Sequence, residues 1–215
     1  MTPNKEDYLK MIYELGGTTK KVTNKELVAG LKVSAASVSE MVTKLLKGGF
    51  VEHVPYQGIQ LTQQGLQKAS ALVRKHRLWE VFLVSHLGYA WNEVHEEAEV
   101  LEHVTSVELA RKLDQYLNFP TVCPHGGMIP TEKGIIDEKI LPNLVDKQVY
   151  DVIKIKRVAD EKELLDYLAS LEVNIGDVYK IMDIGAYEGP IILESEGKQL
   201  AISYKAATSI FIEMA

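Results

Sequence analysis

Residues 23 to 62 read TNKELVAGLKVSAASVSEMVTKLLKGGFVEHVPYQGIQLT. The opening Thr23-Asn24-Lys25-Glu26 is a capping-box pattern, in which a hydroxyl and a carboxylate three residues apart satisfy each other's backbone amides. It starts a short helix that runs to about Leu31. Ser34 then caps a second helix, Ala35 to Lys47, which stops at Gly48-Gly49. Two helices separated by so tight a turn read as a helix-turn-helix, with the second as recognition helix. Phe50 to Val54 and Ile59 to Thr62 are β-prone runs flanking Pro55-Tyr56-Gln57-Gly58, which makes a hairpin, the wing of a winged helix. Small tri-helical units with a hairpin also serve as plain protein-interaction modules, and the arrangement alone leaves that reading open.

Upstream, Thr2-Pro3 starts a first helix whose apolar positions Tyr8, Met11, Ile12 and Leu15 follow helical spacing up to Gly16-Gly17, and Asp7 falls inside it. The recognition helix begins small and polar. Ser34, Ala35, Ala36, Ser37 and Ser39 allow close approach to a major groove, Glu40 reaches base edges, and Lys44 and Lys47 face phosphates. Charge supports this: residues 1 to 73 carry nine Lys against six Asp or Glu, while the remainder carries fifteen basic and twenty-four acidic residues. A weakly basic head on an acidic body suits nucleic acid at one end and sensing at the other.

Downstream, Thr62 caps a long amphipathic helix to about His86. Between Arg74 and His103 stand four of the six histidines, His76, His86, His95 and His103, among Glu80, Glu93, Glu96, Glu97, Glu99 and Glu102. Asn92 is placed to cap a helix on which His95, Glu99, Glu102 and His103 share one stripe. Such a mixture of imidazole and carboxylate suits divalent manganese, iron, zinc or cobalt, although acidic helix faces are also often simply solvated. Ser106 caps a further helix, and the apolar faces here exceed what the head covers, which calls for a helical homodimer. Cys123 is the single cysteine, so an intramolecular disulfide and a multi-cysteine zinc cluster are excluded. Residues 118 to 134 form a loop rich in Pro and Gly, followed by alternating runs at Val149 to Val158, Asp177 to Ile184, Ile191 to Glu194, Leu200 to Tyr204 and Ser209 to Glu213 around a helix at Glu161 to Leu171. With 215 residues, 46% hydrophobic content, no membrane-length apolar run and a charged start, the chain is expected to be cytoplasmic and off the membrane.

On His76-Arg77-Leu78-Trp79-Glu80, on His95 to His103, on the winged helix and on Asp7-Tyr8, the whole chain resembles the diphtheria toxin repressor family, in its manganese-responsive SloR/ScaR/PsaR-type branch. The resemblance implies an α+β, mainly α fold in three parts: a winged helix-turn-helix at 1–73, a helical metal-binding and dimerisation domain at 74–140, and an SH3-like, FeoA-type small β-barrel at 141–215. It implies a primary metal site at Asp7, Glu99, Glu102 and His103 with His76 close by. A secondary site is implied at Glu80, Cys123, His125 and Asp160, with His95 in an ancillary role. Cys123 as an ordinary buried thiol and Asp160 as a helix cap are the structural alternatives there.

Iron-sensing relatives carry methionine where this chain has Asp7 and cysteine where it has Glu99, and oxygen in place of sulfur favours manganese. Binuclear relatives have a glutamate where this chain has Lys10. The implied cofactor is Mn2+, with Zn2+, Cd2+ or Fe2+ also accommodated and Zn2+ favoured at the thiolate-bearing site. The implied partners are a second copy of the chain and palindromic double-stranded operator DNA, read by Ser34, Ala36, Ser37, Ser39, Glu40, Lys44 and Lys47. Without metal, Asp7, Glu99 and Glu102 are expected to repel one another. No catalysis is expected. A dimetal enzyme remains a weaker alternative, since no paired Glu-x-x-His motifs accompany the cluster, as does a winged-helix regulator of an organic ligand.

Overall fold

The computed structural model describes residues 1–54, 57–134 and 141–215. These divide into two compact units, one of Met1–Leu78, Glu99–Gln115 and residues 129–134, the other of Trp79–Ala98, residues 116–128 and residues 141–215.

The first unit begins with α1 (Pro3–Glu14), α2 (Asn24–Leu31) and α3 (Ala35–Lys47). Pro3 occupies the first turn of α1, where a missing amide costs nothing. The capping box of α2 forms as the sequence predicts: Glu26 N donates to Thr23 Oγ1 at 3.2 Å, and Thr23 N donates to Glu26 Oε2 at 2.7 Å. Ser34 Oγ accepts from Ser37 N at 3.1 Å to start α3. The turn between the two helices is made by Lys32 in the left-handed region, φ 53°. β1 (Val51–Val54) and β2 (Gly58–Leu61) pair antiparallel with Val51 opposite Leu61, and the tip of the wing at Pro55-Tyr56 lies outside the described residues. Leu9, Ile12, Val22, Leu27, Val38, Leu45 and Ile59 are fully buried together, so all three helices and the hairpin share one core. Gly65, at the start of α4 (Gln63–Leu87), has no room for a side chain: a Cβ would sit 1.9 Å from Phe50 O.

α4, about 37 Å long at 1.5 Å per residue, contributes residues to both units. α5 (Val94–Val104) starts two residues after the expected Asn92 cap. Asn92 instead donates its amide to Asp166 Oδ1 at 2.9 Å, while Glu93 accepts from Ala90 N. α6 (Val107–Tyr116) is capped as expected, with Leu109 N donating to Ser106 Oγ.

The second unit holds β3 (Val152–Val158), α7 (Lys162–Ser170), β4 (Val178–Ile184), β5 (Ile191–Ser195), β6 (Lys198–Ile202), α8 (Tyr204–Ala207) and β7 (Ile210–Met214). The strands form one antiparallel sheet in the order β6-β5-β4-β3-β7, so the small barrel expected here is observed as a five-stranded sheet with β6 and β7 at its edges. β3 begins three residues later than the alternation suggests, because Tyr150 adopts φ 77°, which no strand accommodates. The β5 to β6 hairpin turns on Glu196-Gly197, both with positive φ, as a two-residue turn with the twist of its strands requires. Ile153, Ile155, Leu165, Leu168, Ile181, Leu193 and Ile212 fill the core under α7. Among the described residues, no helix is long and apolar enough to cross a membrane.

Candidate metal centres and nucleic-acid interface

Two clusters of ligand-type side chains lie one in each unit. In the first, α5 turns Glu99, Glu102 and His103 inward on successive turns, and α1 brings Asp7 to them, so one donor atom from each of the four lies within 4.8 Å of the others. Glu102 is fully buried and His76 is nearly so. His103 Nε2 lies 2.9 Å from Asp7 Oδ1 and 3.7 Å from Glu102 Oε1, yet neither of these buried oxygens completes a hydrogen bond. Buried carboxylate oxygens without a donor are costly in a folded protein. Three carboxylates and one imidazole with two such oxygens fit a divalent cation of the oxygen-preferring to borderline class. Burial raises the pKa of Asp7, and the charge of Glu99 and Glu102 adds to this while His103 and Lys10 oppose it.

Two neighbours complete this cluster. Glu6 Oε2 lies 2.8 Å from His103 Nδ1 and fixes the ring so that Nε2 faces the carboxylates, the usual way a second carboxylate orients a ligating imidazole. Lys10, also buried, places Nζ 2.5 Å from Glu99 Oε1, 2.8 Å from Glu102 Oε2 and 3.0 Å from His76 Nδ1. His76 Nδ1 is also 2.6 Å from Glu102 Oε2, so it donates to Glu102 or accepts from Lys10 according to its tautomer. Burial alone would lower the Lys10 pKa, but Glu14, Glu102 and Glu99 outweigh it and hold the ammonium above the ordinary lysine range. The expected mutual repulsion of Asp7, Glu99 and Glu102 is therefore partly offset by a built-in cation. The sequence reading registered Lys10 only as a missing ligand and missed Glu6, whose signal was its place beside Asp7 on the same helix.

In the second unit, Glu80 on α4 meets Cys123 and His125 from the loop, all buried, with donor atoms again within 4.8 Å. Gly126, at φ +82°, lets this loop lie against β3, where a Cβ would be 1.9 Å from Lys156 O. Cys123 N donates to Gly127 O and Val158 N to His125 O, so the Cys-Pro-His segment is held rigidly at both ends. His125 Nδ1 is 2.9 Å from Glu80 Oε1 and 3.6 Å from Asp160 Oδ1, and its Nε2 meets the Trp91 carbonyl at 2.7 Å. Against the burial that would lower it, the hydrogen bonds of His125 with Cys123 and Glu80 and the charge of Glu80 and Asp160 push its pKa up to about 11. His95 Nδ1 lies 2.9 Å from Asp160 Oδ1, and both share a 4.8 Å cluster with Glu80. The helical stripe predicted from His95 to His103 is thus two sites, His95 in one and Glu99, Glu102 and His103 in the other. Asp160 is not the cap of α7, whose N-cap is Glu161, because its carboxylate is turned toward the histidines. Nothing in the sequence pointed to the Trp91 carbonyl.

Three family models match in succession: the iron dependent repressor N-terminal DNA binding domain over residues 1–59, the iron dependent repressor metal binding and dimerisation domain over 62–131, and the FeoA domain over 143–214. The solved structure of the manganese regulator SloR is 44% identical, with a TM-score of 0.87, and all of each chain is covered. The chain belongs to the diphtheria toxin repressor family of metal-dependent, DNA-binding repressors. Also similar to this family member is ScaR, solved with bound Zn2+, at 40% identity and a TM-score of 0.88 over 99% of this chain and 100% of that one. The iron-dependent repressor IdeR of Mycobacterium leprae is 36% identical over 132 residues, 61% of this chain and 56% of the relative, so the match spans about half the length of that curated repressor.

On α3, the expected recognition helix, and its cap, Ser34, Ala36, Ser37, Ser39, Glu40, Lys44 and Lys47 are all exposed, as is Thr43, which the sequence reading passed over although it lies one turn beyond Ser39. Ser39 and Thr43 hydroxyls donate to carbonyls four residues back, and Lys44 Nζ pairs with Glu40 Oε1 at 2.7 Å. Val38, Val42 and Leu45 on the opposite face are buried in the head's core, which leaves the polar face outward.

Proposed function

We propose that this chain is a manganese-responsive transcriptional repressor of metal-uptake genes, with Asp7, Glu99, Glu102 and His103 as its regulatory ligands and His76 beside them. The observation that carries this reading is that Asp7, on the first helix of the DNA-binding head, and Glu102, on α5, turn buried oxygens lacking hydrogen bonds toward one shared space. A bound divalent cation supplies the positive charge that offsets these carboxylates. Asp7 transmits occupancy to the head, because it sits on α1, whose Leu9 and Ile12 pack in the same core as α3. Glu6 holds the His103 ring, and Glu99 and Glu102 hold their places through Lys10. Fixing α1 in this way favours the arrangement in which two recognition helices meet successive major grooves of a palindromic operator, about 34 Å apart. Oxygen-rich ligation without sulfur supports manganese over softer metals at this site.

The second cluster, Glu80, Cys123, His125 and Asp160 with His95, is a further metal site whose thiolate favours zinc-like ions. Its support is that Glu80 brings a donor atom within 4.8 Å of Cys123 and His125, and also within 4.8 Å of His95 and Asp160; ScaR has been solved with Zn2+ and with Cd2+. The protein acts in the cytoplasm as a homodimer, through the matched dimerisation segment, without membrane or catalytic turnover. Operator binding titrated with and without manganese tests the reading. Wild type is expected to bind at least tenfold tighter with metal, a coupling of about 1.4 kcal/mol or more, and Asp7→Ala and Glu99→Ala are expected to lose that gain. Equal affinity for the metal-free and metal-loaded wild type would sink it.

A further inference from the structure

We infer that Trp91 is a positioning residue for the second cluster, holding the His125 ring by its carbonyl and the C-terminal core by its indole, so that one turn sets both. The inference rests on the reading of Glu80, Cys123, His125 and Asp160 as a metal site. His125 Nε2 lies 2.7 Å from Trp91 O. A carbonyl can only accept, so Nε2 carries the proton of the neutral ring, and Nδ1 is the nitrogen left for an ion. Nδ1 is the atom that faces Glu80 Oε1 and Asp160 Oδ1. The Trp91 carbonyl thus does for His125 what Glu6 does for His103: it fixes the tautomer and the direction of the ring.

A carbonyl is only as well placed as the turn that carries it. Glu93 N donates to Ala90 O at 2.9 Å and Ala90 N to Glu93 Oε2 at 3.2 Å, so the turn between α4 and α5 closes on itself. Its other supports come from the C-terminal part of the chain. The partly buried indole packs against the core under α7, with its centroid 5.7 Å from that of the His125 ring. Beside it, Asn92 Nδ2 donates to Asp166 Oδ1 at 2.9 Å and Lys162 Nζ to Asn92 O at 3.4 Å, both partners lying on α7. Exposed polar ties of this kind contribute little, whereas an indole brings a large apolar area, so the ring is the stronger tie. Asp160 joins the same core to the cluster as a ligand. Trp91 joins them without touching an ion, so it acts whether the site is filled or empty.

Zn2+ affinity of the full chain, measured by competition with a chelator, and nitrogen-15 magnetic resonance of the His125 ring test this. Cys123→Ser is expected to lose the second ion, which checks the underlying reading separately. Trp91→Ala is expected to bind that ion about tenfold more weakly or worse, the usual cost of disturbing a partner that orients a ligating imidazole. Its Nε2–H signal, shielded by the carbonyl in wild type, should disappear into exchange with water, while Mn2+ binding at the primary centre stays unchanged. Trp91→Phe, which keeps a ring against the core and His125, should restore affinity and signal together. Leu193→Ala, which opens a cavity in the same core without touching the turn, should keep both. If Trp91→Ala does not fold, Asn92→Ala takes its place with an expected loss of about threefold, the scale of one exposed tie. An unchanged ion count in Cys123→Ser overturns the metal reading and this inference with it. A Cys123-dependent ion held as tightly by Trp91→Ala, or by Asn92→Ala in its place, as by wild type overturns the role of Trp91 alone. So does a Leu193→Ala protein that loses affinity and the Nε2–H signal as fully as Trp91→Ala.

Discussion

His125 illustrates how proton and metal compete for one nitrogen. Its pKa of about 11 means that, at neutral pH and without metal, the ring carries a proton between Glu80 and Asp160. A ligating imidazole must be neutral and a ligating Cys123 must be a thiolate, so occupancy of this cluster releases protons. Affinity for Zn2+ should therefore rise with pH, by roughly tenfold per unit or more between about pH 6.5 and 8.5. Calorimetry in buffers of different ionisation enthalpy should detect about one proton or more released per ion, and His125→Ala should remove that release along with the ion. An affinity independent of pH across that window would exclude His125 as a ligand. The sign for stability is the reverse. A pKa raised above the unfolded value near 6.5 stabilises the metal-free fold fully below that pH and loses the stabilisation as pH climbs toward 11. At this scale Asp7, Glu99, Glu102, His103, Glu80, Cys123 and His125 stand out in the sequence as ligand-type residues by their chemistry, and the fold draws them into two groups. It was not readable for Lys10 and Glu6, whose roles depend on which oxygen or nitrogen they face.

At the scale of elements, legibility followed local chemistry. The capping box of α2, the Ser34 cap of α3 and the Ser106 cap of α6 are contained within four residues each, and all three helices start where the sequence placed them. α5 and β3 shifted because their starts depend on distant partners or unusual backbone: Asn92 is drawn to Asp166, and Tyr150 is left-handed. α8, four residues long under a Ser203 cap, is too short to leave a periodic signal. The same local logic gives a prediction for α3. Lys44 is exposed and pairs with Glu40, an exposed pair of the kind that contributes little to stability. Lys44→Ala should leave folding unchanged while weakening binding to every DNA sequence alike. The slope of log affinity against log salt concentration should fall by about 0.9 for each chain that loses a phosphate contact. Loss of discrimination among operators with an unchanged salt slope would mean that Lys44 reads bases instead.

For the molecule as a whole, the informative surface is apolar. Val100, Val104 and Val107 are 67%, 75% and 82% exposed; Val100 and Val104 lie four residues apart on one side of α5, away from the face that carries Glu99, Glu102 and His103, and Val107 opens α6 just beyond. They fall within the stretch matched by the family's metal binding and dimerisation domain. A two-fold interface presents the same patch from both copies, so each substitution counts twice. Burying a valine is worth about 1.5 kcal/mol or more, and a glutamate at Val104 would also place two like charges near the axis. Val104→Glu should therefore weaken dimerisation by at least about a hundredfold, the equivalent of 3 kcal/mol, as read by sedimentation velocity. Operator affinity should collapse in parallel, since one head contacts only a half-site. The number of Mn2+ ions bound per chain should stay at the wild-type value, because Asp7, Glu99, Glu102 and His103 already cluster within one chain. A Val104→Glu protein that remains dimeric at micromolar concentration would move the interface elsewhere, and one that loses manganese as well would show that the metal centre requires the second copy.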